Sequence, residues 1–258
     1  TAFDSLDAKC SLWQTDLGAG ANAHDVVLWD DRLVLPLYDA GELLVLATDG
    51  TEVERIQVPG ARPALDRAVV VDGTLWVADQ RFQRDTWSVS EGVLLAVTDD
   101  GIVEHGPIVN PRISPGRTAD ELLVLDGLLS LNDDPERRHD GMLRTFDTRS
   151  ATFSEPLLTE LELDADLENA VAVDGNVVLT ATDAEARTRL HCLDAGDGPT
   201  HEGWISTLVP WQDQVLVAAR SGPAGTGERG VWVVDPNTCD RTDRIVIDDS
   251  EAYDIASF

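Results

Sequence analysis

Polar residues recur in pairs just ahead of the apolar β-type runs in this chain. They are His24-Asp25, Asp66-Arg67, Asp120-Glu121, Glu168-Asn169, Ser206-Thr207 and Tyr253-Asp254. Carboxylates converging with one amide make the oxygen-rich chemistry that suits Ca²⁺. The candidate ligands are Asp25, Asp66, Asp120, Glu121, Glu168, Asn169 and Asp254. His24 is the one residue of these pairs suited to act as a general base at neutral pH. Strand ends are also often polar simply because their side chains bond local backbone, and that bland alternative stands beside the cation site.

A second set of candidates falls in the insertions. Residues 80–87 mix arginine with aromatics, and Arg81 and Trp87 have the composition enriched at binding hot spots. Residues 132–141 are densely charged, and Arg137 and Arg138 there suit an anionic or sugar ligand, unless the loop pairs its charges internally. Arg67 and Tyr253 complete the expected ligand contacts.

Familiar catalytic motifs are missing. Gly225-Thr226-Gly227-Glu228-Arg229-Gly230 fits GxGxxG, but it joins two strands and opens no helix, so it lacks the phosphate-cradling geometry. No GxSxG elbow, HExxH or CxxC occurs.

What positions these residues is a repeat. Apolar runs flank a tight turn at Val26–Leu35, Ala68–Val77, Leu122–Leu131, Ala170–Leu179 and Leu208–Val217, three of them across Asp-Gly. Asp-Gly between apolar runs signals a two-residue hairpin, because a type I′ turn needs positive φ at both central positions. A later strand in each unit ends in aspartate, at Asp16, Asp49, Asp99, Asp147, Asp194 and Asp235, about 33 to 50 residues apart. Four-stranded units of roughly 40 to 50 residues are the signature of propeller blades. The expected fold is therefore all-β: a six-bladed β-propeller of four-stranded antiparallel blades in one domain, 1–258. The expected blades cover 24–60, 64–109, 118–158, 166–204, 205–247, and a composite of 248–258 plus 1–23. In the composite, N-terminal strands pair with the C-terminal strand and close the ring, which removes exposed strand edges.

The phrases Val69-Val70-Val71-Asp72-Gly73-Thr74-Leu75-Trp76-Val77 and Val171-Ala172-Val173-Asp174-Gly175-Asn176-Val177-Val178-Leu179 resemble repeats of the NHL, YVTN and SMP-30/gluconolactonase-like propellers. The resemblance covers five hairpins and implies the fold rather than an activity. Calcium-dependent lactonases of the SMP-30 kind set Glu, Asn and Asp ligands around a central tunnel, and no longer motif ties this chain to them.

Charge and composition narrow the partners. With 48 acidic and 19 basic residues the net charge is −29, a surface that repels phosphate backbones, so no nucleic-acid partner is expected. Only Lys9 among the basic residues is a lysine. No apolar run approaches the roughly 18 residues of a membrane span. Of three cysteines, Cys192 and Cys239 lie near matching ends of consecutive units, and whether they bond stays open on sequence alone. The leading expectation is an extracytoplasmic, non-catalytic binding or scaffold propeller. It takes a protein or small-molecule ligand on its long-loop face. The alternative is a Ca²⁺-dependent hydrolase or lactonase.

Overall fold

The computed structural model describes residues 2–3, 11–60, 63–83, 88–89, 91–127, 140–222, 225 and 227–245. The chain divides into two compact units, Thr1–Pro111 and Arg112–Phe258.

In the first unit, β1 (Ala2–Phe3) and β2 (Ser11–Trp13) pair antiparallel as a two-stranded sheet. β3 (Val27–Trp29), β4 (Arg32–Leu37), β5 (Glu42–Leu46) and β6 (Glu52–Gln57) follow as an antiparallel meander. β7 (Leu65–Val71) and β8 (Thr74–Asp79) begin the next sheet. A small β9 (Phe82–Gln83) and β10 (Ser88–Val89) pair interrupts it before β11 (Glu91–Thr98) and β12 (Gly101–Val109) complete it. Alternating Val and Leu from the two larger sheets interdigitate, with Val34, Leu43, Val45, Leu65, Leu75, Val77 and Leu95 all buried in one cluster.

The described residues of the second unit form three sheets. β13 (Arg112–Pro115), β14 (Glu121–Asp126), β15 (Met142–Asp147), β16 (Thr152–Phe153) and β17 (Leu158–Thr159) form the first, with β16 and β17 both pairing β15. The single-turn helix α1 (Glu160–Leu163) follows, closed at its start by a Thr159–Glu162 capping box. β18 (Asp166–Val173), β19 (Asn176–Thr182), β20 (Thr188–Cys192) and β21 (Gly196–His201) form the second sheet. β22 (Trp204–Trp211), β23 (Gln214–Arg220), β24 (Gly230–Val234) and β25 (Arg241–Ile245) form the third. The last two sheets share a core around Val173, Leu190, Val215, Val217 and Trp232. They are stapled by a disulfide from Cys192 at the end of β20 to Cys239 in the β24–β25 turn, with Cα atoms 5.7 Å apart.

Four of the five expected hairpins form where the sequence placed them. Asp30 and Asp31, Asp72 and Gly73, and Asp174 and Gly175 all take positive φ at the turns, and Gln212 does so at the fourth. The aspartates ending third strands act as turn acceptors: Asp49 takes the Thr51 N–H, Asp147 those of Arg149 and Ser150, and Asp235 that of Asn237.

The fifth hairpin is a correction. Asp126-Gly127 is no hairpin turn, because β14 pairs with β13 before it and β15 after it. Glu121–Asp126 is thus the second strand of its sheet, not the first, and the sheet begins at Arg112. β13 hid in the sequence because it is four residues long and ends in proline. Its turn is a wider loop in which the Gly116 N–H reaches the Glu121 carbonyl. The expected partner run 128–131 and the composite unit's 248–258 lie outside the described residues. Of that unit's other half, 1–23, the described part supplies β1 and β2.

Candidate functional site: the first-strand entries

The ladders between first and second strands break register at the entry to the first strand, and those between third and fourth strands break register as well, at Val45–Leu46, Gly92–Leu94, Arg189–His191 and Val233–Val234. In the β22–β23 pair, Ile205 faces Ala219 while Thr207 faces Ala218, so Ser206 is an extra residue. In β18–β19 the extra residue is Glu168, between Leu167 facing Ala181 and Asn169 facing Thr180. In β7–β8 the pairs Leu65–Asp79 and Ala68–Val77 enclose Asp66 and Arg67 against Ala78 alone. In the first meander, an isolated bridge Ala23–Leu37 and the pair Val27–Val34 leave one residue too many among 24–26. These are β-bulges at one repeated position. A bulge bends the strand and re-aims the side chain it carries. Each first strand also starts opposite the end of its second strand, from which the connection toward the third strand leaves.

In the first unit, His24 Nδ1 lies 2.9 Å from Asp66 Oδ1, and Asn22 Nδ2 lies 3.2 Å from His24 Nε2. With a carboxylate accepting at Nδ1, that nitrogen carries the proton and Nε2 accepts from the Asn22 amide. The imidazole stacks on Tyr38 at 4.1 Å, and the buried Tyr38 hydroxyl donates to Gln80 Oε1. Asp25 accepts the Ala68 N–H at 3.0 Å and the Val26 N–H at 2.8 Å. Burial pushes its carboxyl above the ordinary range, against the pull of the Ala68 N–H and of Arg67.

In the second unit, Glu168 is densely surrounded yet keeps contact with solvent. Burial raises its carboxyl, opposed by the Thr182 hydroxyl and the Arg112 guanidinium. Arg112 itself donates to the Glu168 carbonyl at 2.5 Å. The Asn169 N–H donates to Thr180 Oγ1, and Ser206 Oγ donates to the Ala218 carbonyl. Glu160, 1% exposed, accepts the N–H groups of Gly141 at 2.8 Å and of Leu167, the residue before Glu168, at 3.0 Å. Burial, with Asp166 and Asp140 nearby, pushes its carboxyl up to about 7.

The expected set is therefore only partly brought together. His24 and Asp66 meet, and Asp25, Arg67, Glu168 and Asn169 sit at strand entries as expected. Asp120 and Glu121 do not: they open a second strand, so they lie at the turn end of their sheet. There Asp120 pairs with Arg149 at 2.9 Å, Glu121 pairs with Arg117 at 3.3 Å, and Glu121 stands opposite Asp147. Arg81 is tied to buried Asp79 at 3.1 Å and to Glu104 at 2.8 Å. Trp87, Arg137, Arg138, Tyr253 and Asp254 lie outside the described residues. Among the described residues no three His, Cys, Asp or Glu side chains gather to hold a metal ion. Both oxygens of Asp25 accept backbone N–H groups, and Asp66 Oδ1 faces His24. Sequence reasoning missed Asn22, Tyr38, Gln80 and Arg112, the last because its strand was missed.

No protein-family profile and no curated protein sequence matches the chain. Solved structures do. A protein of unknown function from Bacteroides caccae matches at 16% identity, over 90% of this chain and 84% of that one, with a TM-score of 0.55. Virginiamycin B lyase from Staphylococcus aureus matches at 12%, over 90% and 72%, with a TM-score of 0.56. The WD40 domain of Neurospora crassa Pan2 matches at 11%, over 87% and 65%, with a TM-score of 0.57. The fold is all-β and propeller-like. At these identities the likeness speaks for fold alone. No described helix is long and apolar enough to cross a membrane.

Proposed function

We propose that the chain is a six-bladed binding or scaffold propeller, its sixth blade composed of 248–258 and 1–23, and that its ligand engages the first-strand entries and the loops beside them. The carrying observation is the bulge repeated in four sheets, each time bearing or flanking a polar side chain. A bulge re-aims the side chain it carries, and at these entries the bulged residues include a polar side chain in every one of the four sheets. The residues offered there include Asp66 against the His24 imidazole and Glu168 near the Arg112 guanidinium, which suits a small polar ligand or a basic segment of another protein. The disulfide supports an oxidising, extracytoplasmic setting. The test is a thermal-shift screen of a small-molecule and peptide library, with hits re-measured by calorimetry on Asp66→Asn and Glu168→Gln. Hits that bind the unaltered protein and weaken on either variant support the proposal. Hits indifferent to both variants overturn it.

The His24–Asp66 pair favours a second reading. A histidine held as the Nδ1–H tautomer presents Nε2 as a base, once Asn22 yields, for a hydrolytic or eliminating reaction. Turnover abolished in His24→Ala and retained in Arg81→Ala supports it. Absence of turnover across ester, lactone and thioester panels counts against it.

A further inference from the structure

The outer strands of the β22–β25 sheet carry a second polar arrangement, independent of the strand entries. Trp232 on β24 stands opposite Arg244 on β25, so the two share a face. The Arg241 guanidinium lies over the same indole, 5.0 Å from its centroid. Glu228 comes to this face from the β23–β24 connection. Its Oε2 accepts from Arg241 Nη1 at 2.6 Å and lies 3.4 Å from Arg244 Nη1. The Arg241 hydrogen bond, foremost, holds the Glu228 carboxyl below its ordinary range. Glycine makes the approach feasible. Gly227 has φ +92°, and a Cβ there would stand 2.7 Å from His201 Cε1, so only glycine lets the chain lie on that imidazole.

Beside this carboxylate is a cleft of about 320 Å³, lined in part by Thr200, His201, Glu228, Trp232 and Arg241. Two N–H groups on the shared face, Trp232 Nε1 and Arg244 Nε, are buried with no acceptor among the described residues. An orphaned buried donor is costly, so donors without acceptors point to a missing acceptor-bearing group. His201 Nε2 donates to the Arg220 carbonyl at 2.6 Å, which fixes the imidazole on the cleft wall. Glu202 also lines the cleft and disfavours polyanions.

We infer that Arg241 and Arg244 form a seat for the carboxylate of a small organic acid, which Glu228 occupies as an internal stand-in until a ligand displaces it. Paired guanidiniums recognise a carboxylate by planar, charge-assisted hydrogen bonds. Glu228 is tethered, so it competes at high effective concentration and weakens any external acid.

The test titrates acetate into the unaltered protein, Glu228→Gln and Glu228→Gln/Arg241→Gln, at ionic strength fixed with NaCl. Glu228→Gln is expected to bind acetate about tenfold more tightly than the unaltered protein, a gain of about 1.4 kcal/mol. The double variant should lose the gain. In the unaltered protein, the ¹³C signal of the Glu228 carboxyl should move as acetate is added, which keeps the test open should the variant fold poorly. Equal affinity in all three proteins overturns the inference, as does a stationary Glu228 signal. Inorganic phosphate binding Glu228→Gln as tightly as acetate overturns the carboxylate assignment.

Discussion

His24 and Asp66 come from the entry segments of consecutive sheets, 42 residues apart in sequence, and meet at 2.9 Å. Because the histidine stacks on Tyr38 and its other nitrogen faces Asn22, the imidazole is fixed in plane and in tautomer. A ¹⁵N spectrum of His24 at neutral pH is expected to show the Nδ1–H form. Asp66→Ala should return it toward the mixture of a free imidazole. The side chains are partly exposed, so the pair should contribute only about 1 kcal/mol in a double-mutant cycle. An unchanged tautomer in Asp66→Ala would contradict this.

Glu160 makes stability depend on pH. Its carboxyl is raised in the fold to about 7, so the folded chain holds a proton that the unfolded chain releases. The stability this provides is full below the ordinary carboxyl range and is lost as pH rises through about 7, a loss on the order of 3 kcal/mol. Urea melts between these limits should show Glu160→Gln flatter with pH than the unaltered protein. The substitution should also cost about 1–2 kcal/mol at the acid end, since an amide cannot accept from both the Gly141 and Leu167 N–H groups as well as a carboxyl does. Parallel pH curves would refute the clamp.

Reducing Cys192–Cys239, or replacing both with alanine, releases a cross-link between residues 47 apart. In the chain-entropy account, closing such a loop stabilises by about 4 kcal/mol. The melting temperature should fall, and early exchange should appear in β20, β21, β24 and β25, which it staples. A melt insensitive to reductant would count against the bond.

The surplus of acidic residues should make the fold salt-sensitive. At −29 the compact state repels itself, and screening relieves that. Melting temperature is expected to rise from low to high NaCl, and a fall would contradict it.

The sequence was legible where local chemistry decides structure. Asp72-Gly73 and Asp174-Gly175 announce their turns because few other pairs reach positive φ twice without strain. Asp49, Asp147 and Asp235 announce strand exits because the short carboxylate reaches the next N–H groups. β13 was illegible because four residues ending in Pro115 carry almost no periodicity. It acquires strand form only by pairing with β14, and that one omission moved Asp120 and Glu121 to the wrong end of their sheet. The candidate site was legible as positions and not as partnerships. Asp66 and Glu168 could be picked from the register of the repeat. That Asp66 would meet His24, or that Arg112 would sit against Glu168, depends on how neighbouring sheets pack. The Glu160 clamp left no signal, since its two backbone donors come from elsewhere in the chain.

Hydrogen exchange in the presence of a ligand selected from the library screen tests the proposed binding face most directly. Protection is expected at the strand entries of the unit that binds it, residues 23–27 and 65–68 in the first or 167–169 and 205–207 in the second, and in the connections that leave beside them. Protection confined to the hairpin turns at 30–31, 72–73, 174–175 and 212–213 would place the ligand at the opposite end of each sheet and contradict the account.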